Sequence, residues 1–496
     1  MPRYGSCRVR SAVLRGVKAV PVDVEVVVSS GLPTFCIVGM ADAAVRESRE
    51  RVRAAVVAVG YEMPAARIVV NLAPADLRKT GSGFDLPIAA GYLAATGQIA
   101  PTTTEGRLVV GELSLDGIVR PVEGLLAYAL CARDCGDSLL CADDGSQFAL
   151  VDRVGLFGIG SLRELSRQEF HPITPLVAPR PTRDLDYRDV AGNELAKRAL
   201  QIAAAGNHGA LMMGPPGSGK TMLAKRLPTI LPPLTEDEKL EVALIHSVAG
   251  EDLGPTLAGE RPFRAPHHTA TAAGLIGGGN PVRPGEISFA HRGVLFLDEL
   301  AEFKPSVLQG IRQPIESGVV VVTRADGNVQ FPARFMLVAA SNPCPCGYYG
   351  DPEHACICTL AQVNAYQGRI GGPLLDRIDL HIDVARTQPG NVLESGGGTS
   401  SEELRRGVLA AREYASWRRA RMAEDASARS IVASCRLEDA DREFFENTAR
   451  MLGMSGRAIV RTLSVARTIA DMEQRQQVER ADLCEAIGFR VRGGGS

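Results

Sequence analysis

Eight consecutive residues, Gly214-Pro215-Pro216-Gly217-Ser218-Gly219-Lys220-Thr221, constrain this chain more than any other stretch. They match the phosphate-binding pattern G-x-x-x-x-G-K-[ST] in full. An apolar run, Ala210-Leu211-Met212-Met213, precedes them as a strand, and Met222-Leu223-Ala224-Lys225-Arg226 follows as a helix. In that context the glycines let backbone N–H groups converge on phosphate oxygens, and the new helix presents its positive end there. The whole turn is therefore assigned to ATP, with Lys220 on the β- and γ-phosphates and Thr221 holding Mg²⁺ through its hydroxyl.

A turn that binds phosphate needs a group to activate water. Val294-Leu295-Phe296-Leu297-Asp298-Glu299 reads as a buried strand that releases two carboxylates at its C-terminal end, where α/β sheets place their ligands. Asp298 suits the Mg²⁺ shell and Glu299 suits the attacking water. A second apolar run, 335–341, ends in Asn342. That residue is either a turn-former before Pro343 or an amide placed beside the γ-phosphate; the two acidic and glycine-rich elements favour the second. Two arginines complete the set, since arginine neutralises charge on a transferring phosphoryl group. Arg377, in Leu374-Leu375-Asp376-Arg377-Ile378-Asp379, is the candidate finger reaching a neighbouring subunit, and Arg457, in Gly456-Arg457-Ala458, is the candidate sensor within its own chain. Taken alone, each reads equally as a surface ion pair.

A chain of 496 residues is too long for one ordinary core, so two to four domains are expected. The net charge of −2 rules out a global basic field, and nucleic-acid binding would need a local patch or a pore lining. No stretch reaches the roughly 18 unbroken apolar residues of a membrane helix, and the start lacks the apolar core of a signal peptide. With 11 mostly scattered cysteines, reduced thiols and a cytoplasmic location are expected. Residues 1–168 read as mixed α/β: strands at 22–29 and 67–71, a helix over 41–59 with Val45, Val52, Val56 and Val57 near one face, a helix over 85–96, and a hairpin over 106–118 turning at Asp116-Gly117. Pro172, Pro175, Pro179 and Pro181 mark a linker, a Gly-rich stretch at 396–398 marks another, and Ile459, Leu463, Ala466 and Ile469 form an apolar helical stripe. Gly493-Gly494-Gly495-Ser496 reads as a frayed end.

With these residues assembled, the chain resembles the magnesium-chelatase-like AAA+ ATPases, and within them the ComM-type (YifB) bacterial subfamily. The resemblance runs from near residue 5 to near residue 490. Beyond the phosphate-binding turn it is carried by Phe263-Arg264-Ala265-Pro266-His267-His268-Thr269, Pro284-Gly285-Glu286-Ile287-Ser288, Asn342-Pro343-Cys344-Pro345-Cys346-Gly347 and Gly372-Pro373-Leu374-Leu375-Asp376-Arg377-Ile378-Asp379. It implies an α/β chain with an N-terminal Lon/ribosomal-S5-like α+β domain (1–168), a Pro-rich linker (169–189), an AAA+ P-loop NTPase core with a parallel sheet (190–385), a linker and helix (386–430) and a C-terminal helical lid (431–492). It implies two insertions, around 261–292 and 317–332, forming hairpins that face a central pore. It also implies a homohexamer with ATP at its subunit interfaces, and a motor on single-stranded or branched DNA that promotes branch migration during recombination in natural transformation. A chelatase-type motor remodelling a metal-insertion partner is the rival.

The likeness of the first domain to a Lon peptidase is carried by Lys79-Thr80-Gly81-Ser82-Gly83-Phe84-Asp85 and Gly111-Glu112-Leu113-Ser114-Leu115-Asp116-Gly117. Its Ser–Lys dyad is broken: Leu126 stands where the lysine is expected, after Gly124-Leu125, and Ser82 without an adjacent base is a weak nucleophile. No peptidase activity is expected.

Cys344, Cys346, Cys356 and Cys358 form C-x-C-x₉-C-x-C. Four thiolates suit a closed Zn²⁺ site, with His354 a substitute ligand; the alternative is four reduced thiols in a compact loop. His267-His268 looks like a metal pair, yet adjacent residues do not share a helix face, so a structural or loop role is favoured. Arg283, Arg292 and Arg324 lie in the insertions, as phosphate contacts or as solvated charges. Trp417, among Arg418, Arg419 and Arg421, is expected to pack into the lid rather than to stack on a base.

Overall fold

Two sheets organise the chain in the computed structural model, which describes residues 5–176, 185–324, 327–386, 398–422, 425 and 427–490. The first has eight strands around a long antiparallel pair, Ser6–Arg15 and Lys18–Ser29, with Arg67–Ala73 antiparallel to the latter. Val22, Val24, Val26 and Val28 are buried while Val27 is exposed, the two-residue period of a sheet with one packed face. The helix expected over 41–59 is Ala43–Ala58, capped by the Asp42 carboxylate accepting from Val45 N–H at 2.9 Å; Val45, Val52 and Val56 face the core, but Val57 faces solvent. Helix Asp85–Ala95 is buried on every side, and it can lie this close to the sheet because Gly91 has no Cβ: one placed there would sit 2.7 Å from Val26.

The expected hairpin is shorter than its sequence pattern. Only Glu112–Leu113 and Val119–Arg120 pair across the Asp116-Gly117 turn, whereas Arg107–Val109 is an inner strand running parallel to Ser6–Arg15 and Ser138–Cys141. Leu108 to Val110 are continuously buried, the signature of a strand covered on both faces. The first domain also continues past residue 168. His171–Pro172 is its edge strand, paired with Leu156–Gly158, and Ile173 is buried in its core. Tyr187 in turn is fully buried in the second domain, its hydroxyl donating to Leu223 O at 2.9 Å. The Pro-rich linker expected over 169–189 is thus narrower at both ends; Pro179 and Pro181 lie outside the described residues, as do Gly396, Gly397 and Gly493 to Ser496.

The second sheet is wholly parallel, in the order Phe263–Arg264, Val294–Leu297, Met336–Ser341, Ala210–Met213, Leu380–Asp383. Its three central strands are buried throughout, as sheets covered by helices on both faces require. Both expected insertions contain antiparallel pairs: Gly277–Gly278 with Arg283–Pro284, and Val319–Arg324 with Gly327–Pro332. The C-terminal region is helical, and it has no core of its own. Helix Ser401–Met422, placed in the linker-and-helix segment by sequence, packs on Glu194–Gly206, Lys220–Ile230 and Gly456–Met472. Leu404, Val408, Cys435, Leu463, Ala466 and Ile469 are continuous with Met212, Val338 and Ile382 of the sheet. Among the described residues no helix is long and apolar enough to cross a membrane.

Candidate nucleotide site

Because all five strands run the same way, their C-terminal ends form one edge, and the phosphate-binding turn opens there. Met213 is in register with Ser341, so the turn and Asn342 leave the sheet side by side. Gly214 N–H donates to Ser341 O at 3.3 Å, and a Cβ on Gly214 would lie 2.2 Å from Val384 O, so only glycine lets the chain turn here. Gly217 and Gly219 have φ of +77° and +89° with open space beside them. Gly219 caps helix Lys220–Ile230, whose first residues are Lys220 and Thr221.

Lys220 is buried. Its Nζ donates to Gly214 O (2.7 Å), Pro215 O (2.9 Å), Ser218 Oγ (3.3 Å) and Asn342 Oδ1 (3.4 Å). Burial lowers its pKa to about 8, and Asp298 opposes that shift. Thr221 Oγ1 donates to Asp298 Oδ2 at 2.8 Å. Side chains far apart in sequence thus meet: a hydroxyl against a carboxylate, and an ammonium against an amide, over a turn whose glycines leave room for phosphate. The donor set fits ATP with a hard divalent cation, which takes oxygen ligands such as Thr221 and Asp298.

Glu299 follows with φ +52°, its N–H donating to Asp298 Oδ1 at 3.0 Å. That left-handed turn swings its half-exposed carboxylate out of the strand. His268 Nδ1 lies 3.1 Å from Glu299 Oε2. From the sequence the His pair carries a structural or loop role; its position just past the edge strand Phe263–Arg264, beside Val294–Leu297, is the signal that points to Glu299.

Comparison with known proteins agrees along the chain. The family described as magnesium chelatase, subunit ChlI, matches residues 186–392; a second, subunit ChlI of Mg-chelatase, matches 24–144; and the ChlI C-terminal family matches 398–490. The chain is 42% identical to YifB of Salmonella typhimurium over 483 residues, covering 96% of this chain and 95% of that one. It is 41% identical to the competence protein ComM of Haemophilus influenzae over 495 residues, 97% of each chain. The chain belongs to the magnesium-chelatase-like family, in its ComM-type branch. A magnesium-chelatase 67 kDa subunit of Chlorobaculum parvum is 31% identical over 161 residues, covering 32% of this chain and 23% of that one.

The two arginines of this ComM-type chain lie together, but not at the turn. Arg377 Nη2 is 2.9 Å from Glu316 Oε1 and Arg457 Nη2 is 3.5 Å from the same oxygen. Arg377 holds the Glu316 carboxyl below its usual range. Arg461 ties the pair to the sheet, bonding Arg377 O at 2.7 Å and Asp379 Oδ1 at 2.6 Å. Asp379 and Leu380 N–H groups both donate to Gly209 O, just before the strand Ala210–Met213 begins. The cluster therefore sits at the N-terminal edge of the sheet, about 13 Å of strand from the phosphate-binding turn at ~3.3 Å per residue. Arg457, expected from the sequence as a sensor of its own chain's nucleotide, thus shares the far edge, and a carboxylate, with Arg377.

In the first domain, Ser82 Oγ donates to the Glu112 carboxylate, and Leu126 is fully buried against Ala243 and Leu253 of the second domain. The position that would carry a peptidase lysine is an apolar interdomain contact. Arg283, half exposed, pairs with Glu123 (2.8 Å) and Arg292 with Glu241 (2.7 Å), whereas Arg324 is exposed near the end of its hairpin. Trp417 is 44% exposed, its ring 5.4 Å from that of Tyr414 and tilted by 40°, with Arg421 5.5 Å away, and it does not pack into the lid as expected; its neighbour Arg418 is the buried residue. The four cysteines Cys344, Cys346, Cys356 and Cys358 converge, with all ligand atoms within 4.8 Å of one another, a set able to hold a metal ion.

Proposed function

We propose that this chain is an ATP-driven DNA motor that works as a homohexameric ring and promotes branch migration during recombination in natural transformation. The observation carrying the reading is the convergence of Lys220, Thr221, Asp298 and Asn342 at one sheet edge while Arg377 and Arg457 occupy the other. A site divided this way is completed by a neighbouring subunit, and head-to-tail contacts that close make a ring.

The turn's N–H groups and Lys220 bind the phosphates, and Asn342 and Lys220 fix each other's position at the γ-phosphate. Thr221 and Asp298 would hold Mg²⁺, which when bound neutralises charge on the β- and γ-phosphates. Glu299 accepts the proton of the attacking water, and His268 holds its carboxylate in place. Arg377 supplies positive charge to the neighbour's γ-phosphate. Arg324, on the second hairpin, is the insertion arginine best placed to meet DNA phosphates. The Haemophilus influenzae relative is named for competence, which fits work on incoming DNA. A chelatase-type motor is supported less well, because the Chlorobaculum parvum likeness covers 32% of the chain against 97% for the competence protein.

ATP turnover with and without branched DNA at low salt tests the reading. Stimulation by branched DNA is expected, weakening as salt rises and phosphate contacts are screened. No effect of DNA on hydrolysis, together with no DNA binding at low salt, removes the DNA motor.

The Lys220 environment adds a pH prediction. Its pKa of about 8 belongs to the free protein, so above that pH the ammonium is increasingly neutral. Bound phosphates favour the charged form. ATP binding above this pKa is therefore expected to take up protons, and affinity to fall as pH rises through it. Calorimetric titrations in buffers of different ionisation enthalpy read this directly; a buffer-independent heat there would show that Lys220 does not change charge.

A further inference from the structure

We propose that Cys344, Cys346, Cys356 and Cys358 bind one Zn²⁺ ion and that this ion fixes the wall of the nucleotide site; the second part rests on the ATP reading above. The sulfurs are spaced for a tetrahedral cage. Cys344 and Cys346 are 3.4 Å apart, Cys344 and Cys356 3.7 Å, and Cys346 and Cys356 3.6 Å. Four thiolates around zinc at ~2.3 Å are about 3.8 Å from one another. A disulfide would bring two sulfurs to about 2.05 Å, and all four cysteines are free.

The surroundings suit bound thiolates. Tyr349 N–H donates to Cys344 Sγ at 3.3 Å and Cys358 N–H to Cys356 Sγ at 3.4 Å, the kind of outer hydrogen bond that orients metal ligands. Cys344 is fully buried. From Cys344 to Cys358 the chain forms neither helix nor strand, so regular backbone pairing does not order it, and a metal clip supplies that order. An all-thiolate tetrahedral set selects zinc over the hard cations, and four protein ligands leave no open position. The site is structural.

What it holds in place is the phosphate-binding turn. Asn342-Pro343 leads directly into Cys344, and the Asn342 amide contacts Lys220. Gly347, at φ +87°, rests on Pro216 of the turn: a Cβ there would lie 2.6 Å from Pro216 Cδ. Arg386 closes the contact from the other side. It donates to Pro216 O at 3.3 Å, lies 5.5 Å from the Tyr348 ring and is 3.8 Å from Asp351 Oδ2. The cysteine loop is thus joined to the nucleotide turn through Asn342, Gly347 and Arg386.

The test uses the full chain purified without chelator. Elemental analysis is expected to find one zinc per chain, and none in the double variant Cys356→Ser with Cys358→Ser. That variant is expected to bind a fluorescent ATP analogue about tenfold more weakly, the scale on which supporting shells of metal sites act. Arg386→Ala, which leaves the thiols intact, is expected to keep its zinc and still lose nucleotide affinity, so the coupling is tested even where the cysteine variant fails to fold. Wild-type protein without stoichiometric zinc, or carrying iron instead, overturns the metal assignment. Full zinc with unchanged nucleotide affinity in Arg386→Ala overturns the coupling. Zinc-loaded wild-type protein that binds no ATP overturns the coupling through the ATP reading itself, while the metal count stands.

Discussion

Glu299→Gln is expected to bind ATP with near-normal affinity and to lose roughly 10²–10⁴-fold in turnover, the contribution of a positioned general base. That range corresponds to about 3–5 kcal/mol on the barrier. Binding survives because Lys220, Thr221 and Asn342 do not use the Glu299 side chain, which is half exposed and touches His268. The backbone arrangement survives too, since glutamine keeps the side-chain length and the N–H that donates to Asp298. Only the ability to accept a proton is removed. Single-turnover hydrolysis beside equilibrium binding of a fluorescent nucleotide separates the two effects; normal turnover in the variant would place the base elsewhere.

The second large effect concerns stability. Asp471 is buried between two arginines: Arg418 grips it with two bonds of 2.9 Å, and Arg467 Nη2 lies 3.2 Å from Oδ1. All three side chains are at most 5% exposed. Asp471→Ala removes the carboxylate that balances two buried cations and is expected to cost about 3–5 kcal/mol. Replacing both Asp471 by Leu and Arg418 by Met is expected to cost less, because a charge removed with its partner leaves less unmatched. The readout is local. Trp417 is the only tryptophan of the chain and adjoins Arg418, so its fluorescence during urea unfolding follows the helices that hold the triad. An unchanged midpoint in Asp471→Ala would mean that water already satisfies these arginines.

The phosphate-binding turn and the acidic pair were legible from sequence for the same reason. Gly214 to Thr221 and Val294 to Glu299 are contiguous, and their geometry follows from short-range rules: glycine where φ is positive, an apolar run where a strand is buried, a carboxylate where it ends. Asn342 belongs with them because a parallel sheet must bring the C-terminal ends of its strands to one edge. The valine alternation of the first domain and the apolar stripe of helix Gly456–Met472 were equally readable, being periodic.

Where a residue goes once its strand or helix has been packed was decided by tertiary structure alone. Arg457 opens a helix whose sequence does not say which edge of the sheet it approaches; the continuous core beneath it sets it beside Arg377 and Glu316. Arg283 and Arg292 look like free basic residues until Glu123 and Glu241, distant in sequence, are folded against them. His268 gains its meaning only from Glu299, and Leu126 only from Ala243 across a domain boundary. Contacts of this kind depend on relative positions of whole elements, which local propensity does not encode. The chain's order thus determined which chemical groups are present and where the nucleotide turn forms; packing determined which of the charged side chains reach that turn and which are bound up elsewhere.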